Sequence, residues 1–193
     1  MNKVKKFAVI GTSCSGKTTL VYNVVGALRK HGMHIEGLTS TDRIYPFEQK
    51  KLDYLHEAQS YIVLQQSHLE TRISVRDDVD AFLCDRSTVD FFAYYEYFLK
   101  DTKNIYYNVL KSFAFNWAKT YDALFYLEPL PWINDNKRPA DDLRLGVDYV
   151  IQSYLPKLKN LIRIPSNSKI PKKNEREDFV MATIRRMVGE SKE

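Results

Sequence analysis

The octapeptide Gly11-Thr12-Ser13-Cys14-Ser15-Gly16-Lys17-Thr18 constrains this chain more than any other stretch. It fits G-x-x-x-x-G-K-[ST], the phosphate-binding P-loop, and the spacing has a chemical reason. Two glycines let the backbone curl so that successive N–H groups converge on a phosphate. Lys17 brings a positive charge to the outer phosphates, and the Thr18 hydroxyl is suited to ligate Mg²⁺. A helix opens directly after the loop, and its free N–H groups and dipole favour an anion in the same place. The flanks agree. Phe7-Ala8-Val9-Ile10 is a short apolar run suited to a buried parallel strand. Leu20, Val21, Val24, Val25 and Leu28 recur at helical spacing, with Gly32 placed as a C-cap. Gly11, Ser13, Cys14, Ser15, Gly16, Lys17, Thr18 and Thr19 are therefore the expected nucleotide contacts, and ATP with Mg²⁺ the expected ligand.

The chain has 193 residues, enough for one well-buried domain, and is read as a single domain over 1–193. No apolar run approaches the roughly 18–20 residues of a membrane span. The basic start Met1-Asn2-Lys3-Val4-Lys5-Lys6 superficially resembles a signal peptide, but the apolar run after it lasts only four residues. The expectation is a cytoplasmic protein with no membrane partner. Cys14 and Cys84 are the only cysteines and show neither metal spacing nor a disulfide framework, in keeping with a reducing compartment. The net charge of +5 is concentrated at the two ends, at Lys3, Lys5 and Lys6 and from Lys157 to Arg186. It permits an anionic partner, though nucleotide binding alone asks for positive potential.

Along the chain, short apolar runs alternate with helical patterns. Strands are predicted over Phe7–Ile10, Met33–Thr39, Asp80–Asp85, Tyr121–Leu127 and Asn160–Ile164. Helices are predicted after the P-loop and over Lys51–Ile73, Val89–Leu99, Ile105–Lys119, Ala140–Leu155 and Asn174–Val188. In the second of these helices Leu55, Ala58, Ile62 and Leu69 make one side, and Gln59, Gln65, Gln66 and Glu70 the polar other. The aromatics Phe91, Phe92, Tyr94, Tyr95, Tyr97 and Phe98 go nearly all round the third, which implies burial on more than one face or a lid-covered pocket. Such alternation means an α/β fold, a parallel five-stranded sheet with helices on both faces. Ligands of such sheets sit beyond the carboxyl ends of the strands. That rule gathers Gly11–Thr18, Thr39–Arg43, Asp85–Arg86 and Pro129–Arg144 around one cleft.

Asp85 closes an apolar strand and is the natural acidic partner of the metal, directly or through water. Arg86 beside it is suited to grip a substrate phosphate. The stretch Asp85-Arg86-Ser87-Thr88-Val89-Asp90-Phe91-Phe92-Ala93-Tyr94 resembles the D-R-x-x-x-D-x-x-A-Y segment of an AAA-like P-loop ATPase/kinase family, related to the ribosylnicotinamide kinase domain of NadR-type proteins. The Asp-Arg pair is also similar to thymidylate and deoxynucleoside kinases. Gln66-Ser67-His68-Leu69-Glu70, Tyr121–Leu127 and Pro131-Trp132-Ile133-Asn134-Asp135-Asn136-Lys137-Arg138 extend the likeness to residues 4–165. The resemblance implies a P-loop NTPase of nucleotide-kinase type. It also implies a lid over about 129–145, in which Arg138 and Arg144 close over the phosphates. Relatives often carry a Glu soon after the second strand; here Asp42, in Thr39-Ser40-Thr41-Asp42-Arg43, is the carboxylate in that region.

The leading expectation is a Mg²⁺-ATP-dependent phosphotransferase acting on a nucleoside, nucleotide or related small acceptor. Lys17, Asp42, Asp85, Arg86, Arg138 and Arg144 are its candidate catalytic residues, with Thr18 and Asp85 at the metal and Asp42 or Asp85 as base. One alternative is a kinase acting on a nucleic-acid 5′-hydroxyl or a modified base in DNA, with basic ends and many tyrosines to suit. Another is a regulatory P-loop NTPase switch that binds a protein partner. The oligomeric state is open, a dimer included.

Overall fold

The computed structural model describes residues 3–39, 56–100, 102–131, 141–164 and 175–189. Asp42, Arg138 and most of the 129–145 segment lie outside them, as do the start of the helix expected from Lys51 and the polar stretch 165–173.

Five strands form one parallel sheet: β1 (Lys5–Ile10), β2 (Ile35–Leu38), β3 (Ala81–Asp85), β4 (Ala123–Tyr126) and β5 (Leu161–Arg163). Their spatial order is β2-β3-β1-β4-β5, with β1 in the centre. The helices are α1 (Lys17–Lys30), α2 (His56–Ser74), α3 (Thr88–Leu99), α4 (Ile105–Ala118), α5 (Asp141–Tyr154) and α6 (Glu175–Gly189). A short 3₁₀ turn follows α5 at Leu155–Lys157.

Strand periodicity divides the core into two layers. Phe7 and Val9 point to one face of β1 with Leu83 and Phe125, and there Leu20, Val24 and Leu28 of α1 meet Val180 and Ile184 of α6. Ala8 and Ile10 point to the opposite face with Phe82, Cys84 and Leu124, under α2, α3, α4 and α5. Helix α3 packs against α2, α4 and α5 together. Its all-round aromatics follow from that position: Phe91, Phe92 and Tyr95 are buried, and only Tyr97 is appreciably exposed. Helix α1 stops where Gly32 takes φ +84°. Gly32 N–H then bonds the Arg29 carbonyl and Met33 N–H the Leu28 carbonyl, a Schellman closure.

Helix α2 is buried on more than its apolar side. The polar side of α2 is buried, with Gln59, Gln66 and Glu70 inside and Leu64 outside. Glu70 pairs with Lys6 of β1 at 2.6 Å, both side chains being almost wholly enclosed. It also accepts hydrogen bonds from Trp117 Nε1 (2.6 Å), Tyr121 Oη (2.6 Å) and Gln66 Nε2 (2.7 Å). Lys6 Nζ lies over the Trp117 and Tyr121 rings and donates to Thr120 Oγ1 at 2.7 Å. With Lys5 paired to Asp122 at 3.1 Å, two of the basic residues at the amino end are spent inside the fold. No helix among the described residues is long and apolar enough to cross a membrane.

Candidate active site

The site is built at the carboxyl end of the central strand. In the parallel register Val9 faces Asp85 and Ile10 faces Tyr126, so the P-loop leaves β1 between the ends of β3 and β4. Gly11 has φ +147°, and a Cβ there would stand 2.5 Å from the Leu127 carbonyl oxygen. Only glycine lets the chain turn so close to the next strand. Cys14 and Gly16 also take positive φ, at 56° and 89°. Left-handed residues alternating with right-handed ones aim successive N–H groups into one concavity. Gly16 is the N-cap of α1 and supplies no side-chain cap, and the first turn carries no acidic residue. The orphan amides of that turn are therefore available to an anion.

Lys17 is the first residue of α1 and is buried. Its ammonium folds back onto the Thr12 carbonyl and lies 3.3 Å from Ser15 Oγ. Burial holds its pKa below the ordinary lysine value, and the Arg86 charge adds to that. A cation whose charged form is penalised is relieved by a nearby phosphate. Thr18 Oγ1 donates to Asp85 Oδ2 at 2.6 Å. These two oxygens, one at the helix start and one at the end of β3, are the hard-donor pair that a small divalent cation takes.

Asp90 ties the loop to α3. Its Oδ1 accepts Gly11 N–H at 2.7 Å, and its Oδ2 accepts both Ser87 N–H and Ser87 Oγ–H at 2.8 Å. Ser87 and Asp90 thus form the capping box of α3, and the carboxylate's other oxygen is left for the P-loop. Burial pushes the Asp90 carboxyl up, against the pull of Lys17 and the Gly11 amide. One turn further on, Tyr94 Oη accepts Ser13 N–H at 2.9 Å. Arg86, at φ +86°, lays its guanidinium over the Tyr94 ring at 4.9 Å and over Phe91 at 5.8 Å. Burial works to raise the Tyr94 phenol, yet the Arg86 and Lys17 charges bring it below the ordinary tyrosine value.

The P-loop, Asp85 and Arg86 thus meet as expected, and Arg144 meets them in another way. Arg144 lies in the first turn of α5, within the helix expected over Ala140–Leu155, and is 3 % exposed. Its guanidinium is engaged by Asp141 (2.6 Å) and by the Leu130 carbonyl (2.7 Å). Its own carbonyl accepts Thr12 Oγ1 at 2.7 Å. Asp42 and Arg138 lie outside the described residues. Cys14 is partly exposed in the loop, while Cys84 is buried on the opposite face of β3 and donates to Glu70 at 3.7 Å. Burial and the Glu70 carboxylate push the Cys84 thiol up.

Three contributors were not assigned a part from the sequence. Asp90 and Tyr94 stand in the stretch that carries the family likeness, and Ser87-x-x-Asp90 is a legible capping box, but their P-loop partners are about 80 residues away. The third, Arg176 at the start of α6, reaches toward the Ser15 carbonyl at 3.5 Å. Nothing local announces it.

This is the fold of a P-loop NTPase of nucleotide-kinase type. The chain belongs to the AAA domain family, whose model matches residues 6–168. Among curated proteins none matches it in sequence. It is similar in structure to NadR protein in complex with NR, with a TM-score of 0.73 and 14 % identity, over 96 % of this chain and 52 % of that one. It is similar also to NadR protein in complex with NAD and AMP-PNP, with a TM-score of 0.68 and 14 % identity, over 96 % and 50 %. The chain spans about half the length of these solved relatives.

Proposed function

We propose that the protein is a Mg²⁺-ATP-dependent phosphotransferase, working in the cytoplasm on a nucleoside, nucleotide or related small acceptor. One observation carries the reading: the Thr18–Asp85 oxygen pair stands beside Lys17 and the α1 N-terminus, with Arg86 next to them. Phosphoryl transfer asks a protein for positioning and for charge around the transferred group, and little else. In this reading the loop amides from Cys14 to Thr19 and Lys17 hold the phosphates, and Arg86 grips the acceptor side. Thr18 and Asp85 would hold the Mg²⁺, which neutralises phosphate charge when bound. Asp42 or Asp85 takes the acceptor proton. Arg138 and Arg144 close the 129–145 lid, Arg144 by exchanging Asp141 and the Leu130 carbonyl for phosphate oxygens. The complexes of the NadR neighbours make AMP-PNP the natural donor probe and NR one acceptor to try.

A nucleic-acid acceptor is the weaker reading, because Lys5 and Lys6 are paired internally. The test is one panel: labelled ATP with nucleosides, nucleoside monophosphates, NR and 5′-hydroxyl oligonucleotides, for the wild type and Lys17→Ala. Transfer to a small acceptor that Lys17→Ala abolishes without unfolding supports the proposal. A folded Lys17→Ala with near-normal turnover, or label passing only to the oligonucleotide with a steep salt dependence, overturns it.

A further inference from the structure

Tyr94 sits half-buried on the side of α3 that meets the P-loop. A phenol has two acceptor lone pairs and one proton to give. Ser13 N–H takes one lone pair at 2.9 Å, while the Arg86 guanidinium lies over the ring. The O–H proton is left with no acceptor among the described residues. The charged groups that bear most strongly on this oxygen, Arg86 and Lys17, are donors only and cannot receive it. Ser13 Oγ is itself buried and, among the described residues, without a hydrogen-bond partner. The position therefore suits an anion that arrives with the ligand. The inner phosphates belong over the α1 N-terminus. Ser13, Tyr94 and Arg86 lie on the other limb of the loop, toward β3.

We propose that Tyr94 contacts the terminal phosphate of the bound nucleotide: its hydroxyl accepts the Ser13 amide and donates its own proton to a phosphate oxygen on the Arg86 side. The phenol then relays the loop's N–H outward by one hydroxyl oxygen. This rests on the nucleotide reading above and adds to it a residue that senses the third phosphate.

Tyr94→Phe keeps the ring under Arg86 and removes only the oxygen. Calorimetry with ADP and with AMP-PNP, on the wild type and Tyr94→Phe, reads the effect. AMP-PNP binding is expected to weaken about tenfold, as for one hydrogen bond to a charged oxygen, with ADP within about twofold. Equal losses for both nucleotides would mean that Tyr94 merely braces Ser13, and no loss for either would mean that the hydroxyl is idle. Both results overturn the proposal and leave nucleotide binding intact. A wild type that binds neither nucleotide overturns both readings at once. A second measurement reads the proton directly. In a spectrophotometric tyrosine titration, AMP-PNP should move upward the step that Tyr94→Phe removes, by holding its proton, while ADP should not. A tyrosine that titrates alike with both refutes the contact.

Discussion

Removing Glu70 should cost more than removing any surface carboxylate, because five partners converge on its two oxygens. Lys6 is the decisive one. The pair is 2.6 Å apart, with side chains 6 % and 0 % exposed. Breaking a buried ion pair by deleting one partner costs about 3–5 kcal/mol, since the other charge is left in a low-dielectric setting. Trp117 Nε1–H and Tyr121 O–H lose their acceptor as well, at roughly 1 kcal/mol or more each. The cation–π contacts of Lys6 and its bond to Thr120 recover part of this, so about 5 kcal/mol is a fair expectation for Glu70→Leu. For a chain of this size that is a fall in Tm of about 10–20 °C. Lys6→Met with Glu70→Leu removes both charges at little change in volume, and the double variant should regain at least about 2 kcal/mol over Glu70→Leu. The pH dependence has a definite sign. Burial holds Lys6 below the ordinary lysine value of 10.5, and Glu70 works against that, so losing Glu70 lowers it further. The unfolded state then binds the proton more tightly than the folded one. The deficit of Glu70→Leu relative to wild type should therefore shrink as the pH is raised toward 10.5. Thermal unfolding of the two single variants and the double, at several pH values, completes the cycle. If the double loses the sum of the single losses, or if Glu70→Leu melts like wild type, Lys6 and Glu70 are not coupled as described.

Two further outcomes concern the P-loop. Lys17 is held low by burial and by Arg86, and a bound phosphate should raise it, so nucleotide affinity should fall as pH climbs through the free protein's Lys17 pKa. Calorimetry in buffers of differing ionisation enthalpy should report proton uptake in that range, and proton release would contradict it. Cys14 is partly exposed within the phosphate turn while Cys84 is buried with its thiol pushed up, so a thiol reagent should label Cys14 first and Mg²⁺-ATP should protect it. Mass spectrometry of the first modified peptide decides, and early labelling of Cys84 or a lack of protection counts against an occupied loop.

What the sequence made legible is what depends on local period and on short motifs. The apolar runs became the five strands within a few residues of their expected ends, because a buried parallel strand needs no distant partner to be recognised. The P-loop was legible for the same reason: its glycines answer to backbone geometry that eight residues carry among themselves. The polar face of α2 was not. Nothing near Gln59, Gln66 and Glu70 in the sequence says that Lys6, Trp117 and Tyr121 will enclose them. Arg144 misled in the same way. A basic residue after a Pro-rich loop reads as exposed, but its partners are Asp141 one turn back and a carbonyl fourteen residues upstream.

The same distinction explains why α3 matters to the site more than its helical pattern suggests. Asp90 and Tyr94 are i and i+4, so both point from one side of the helix. That side meets Gly11 N–H and Ser13 N–H, two amides of the loop's outer limb. Helix α1 fixes the inner limb through Gly16 and Lys17, and α3 fixes the outer one through a carboxylate and a phenol. The cap that starts α3 is made by the same Asp90, so forming the helix and shaping the loop are one event. Arg86 is held between them by its own backbone: its N–H bonds the Val9 carbonyl, and Gln66 reaches toward its carbonyl at 3.5 Å. A left-handed residue kept in place from both sides aims its guanidinium at Tyr94 before any ligand arrives. Electrostatic stabilisation of a transferred group is strongest when the dipoles and charges need not reorganise. On that ground the proposed phosphotransferase would use the stretch from Asp85 to Tyr94 as a second phosphate-facing element beside the P-loop.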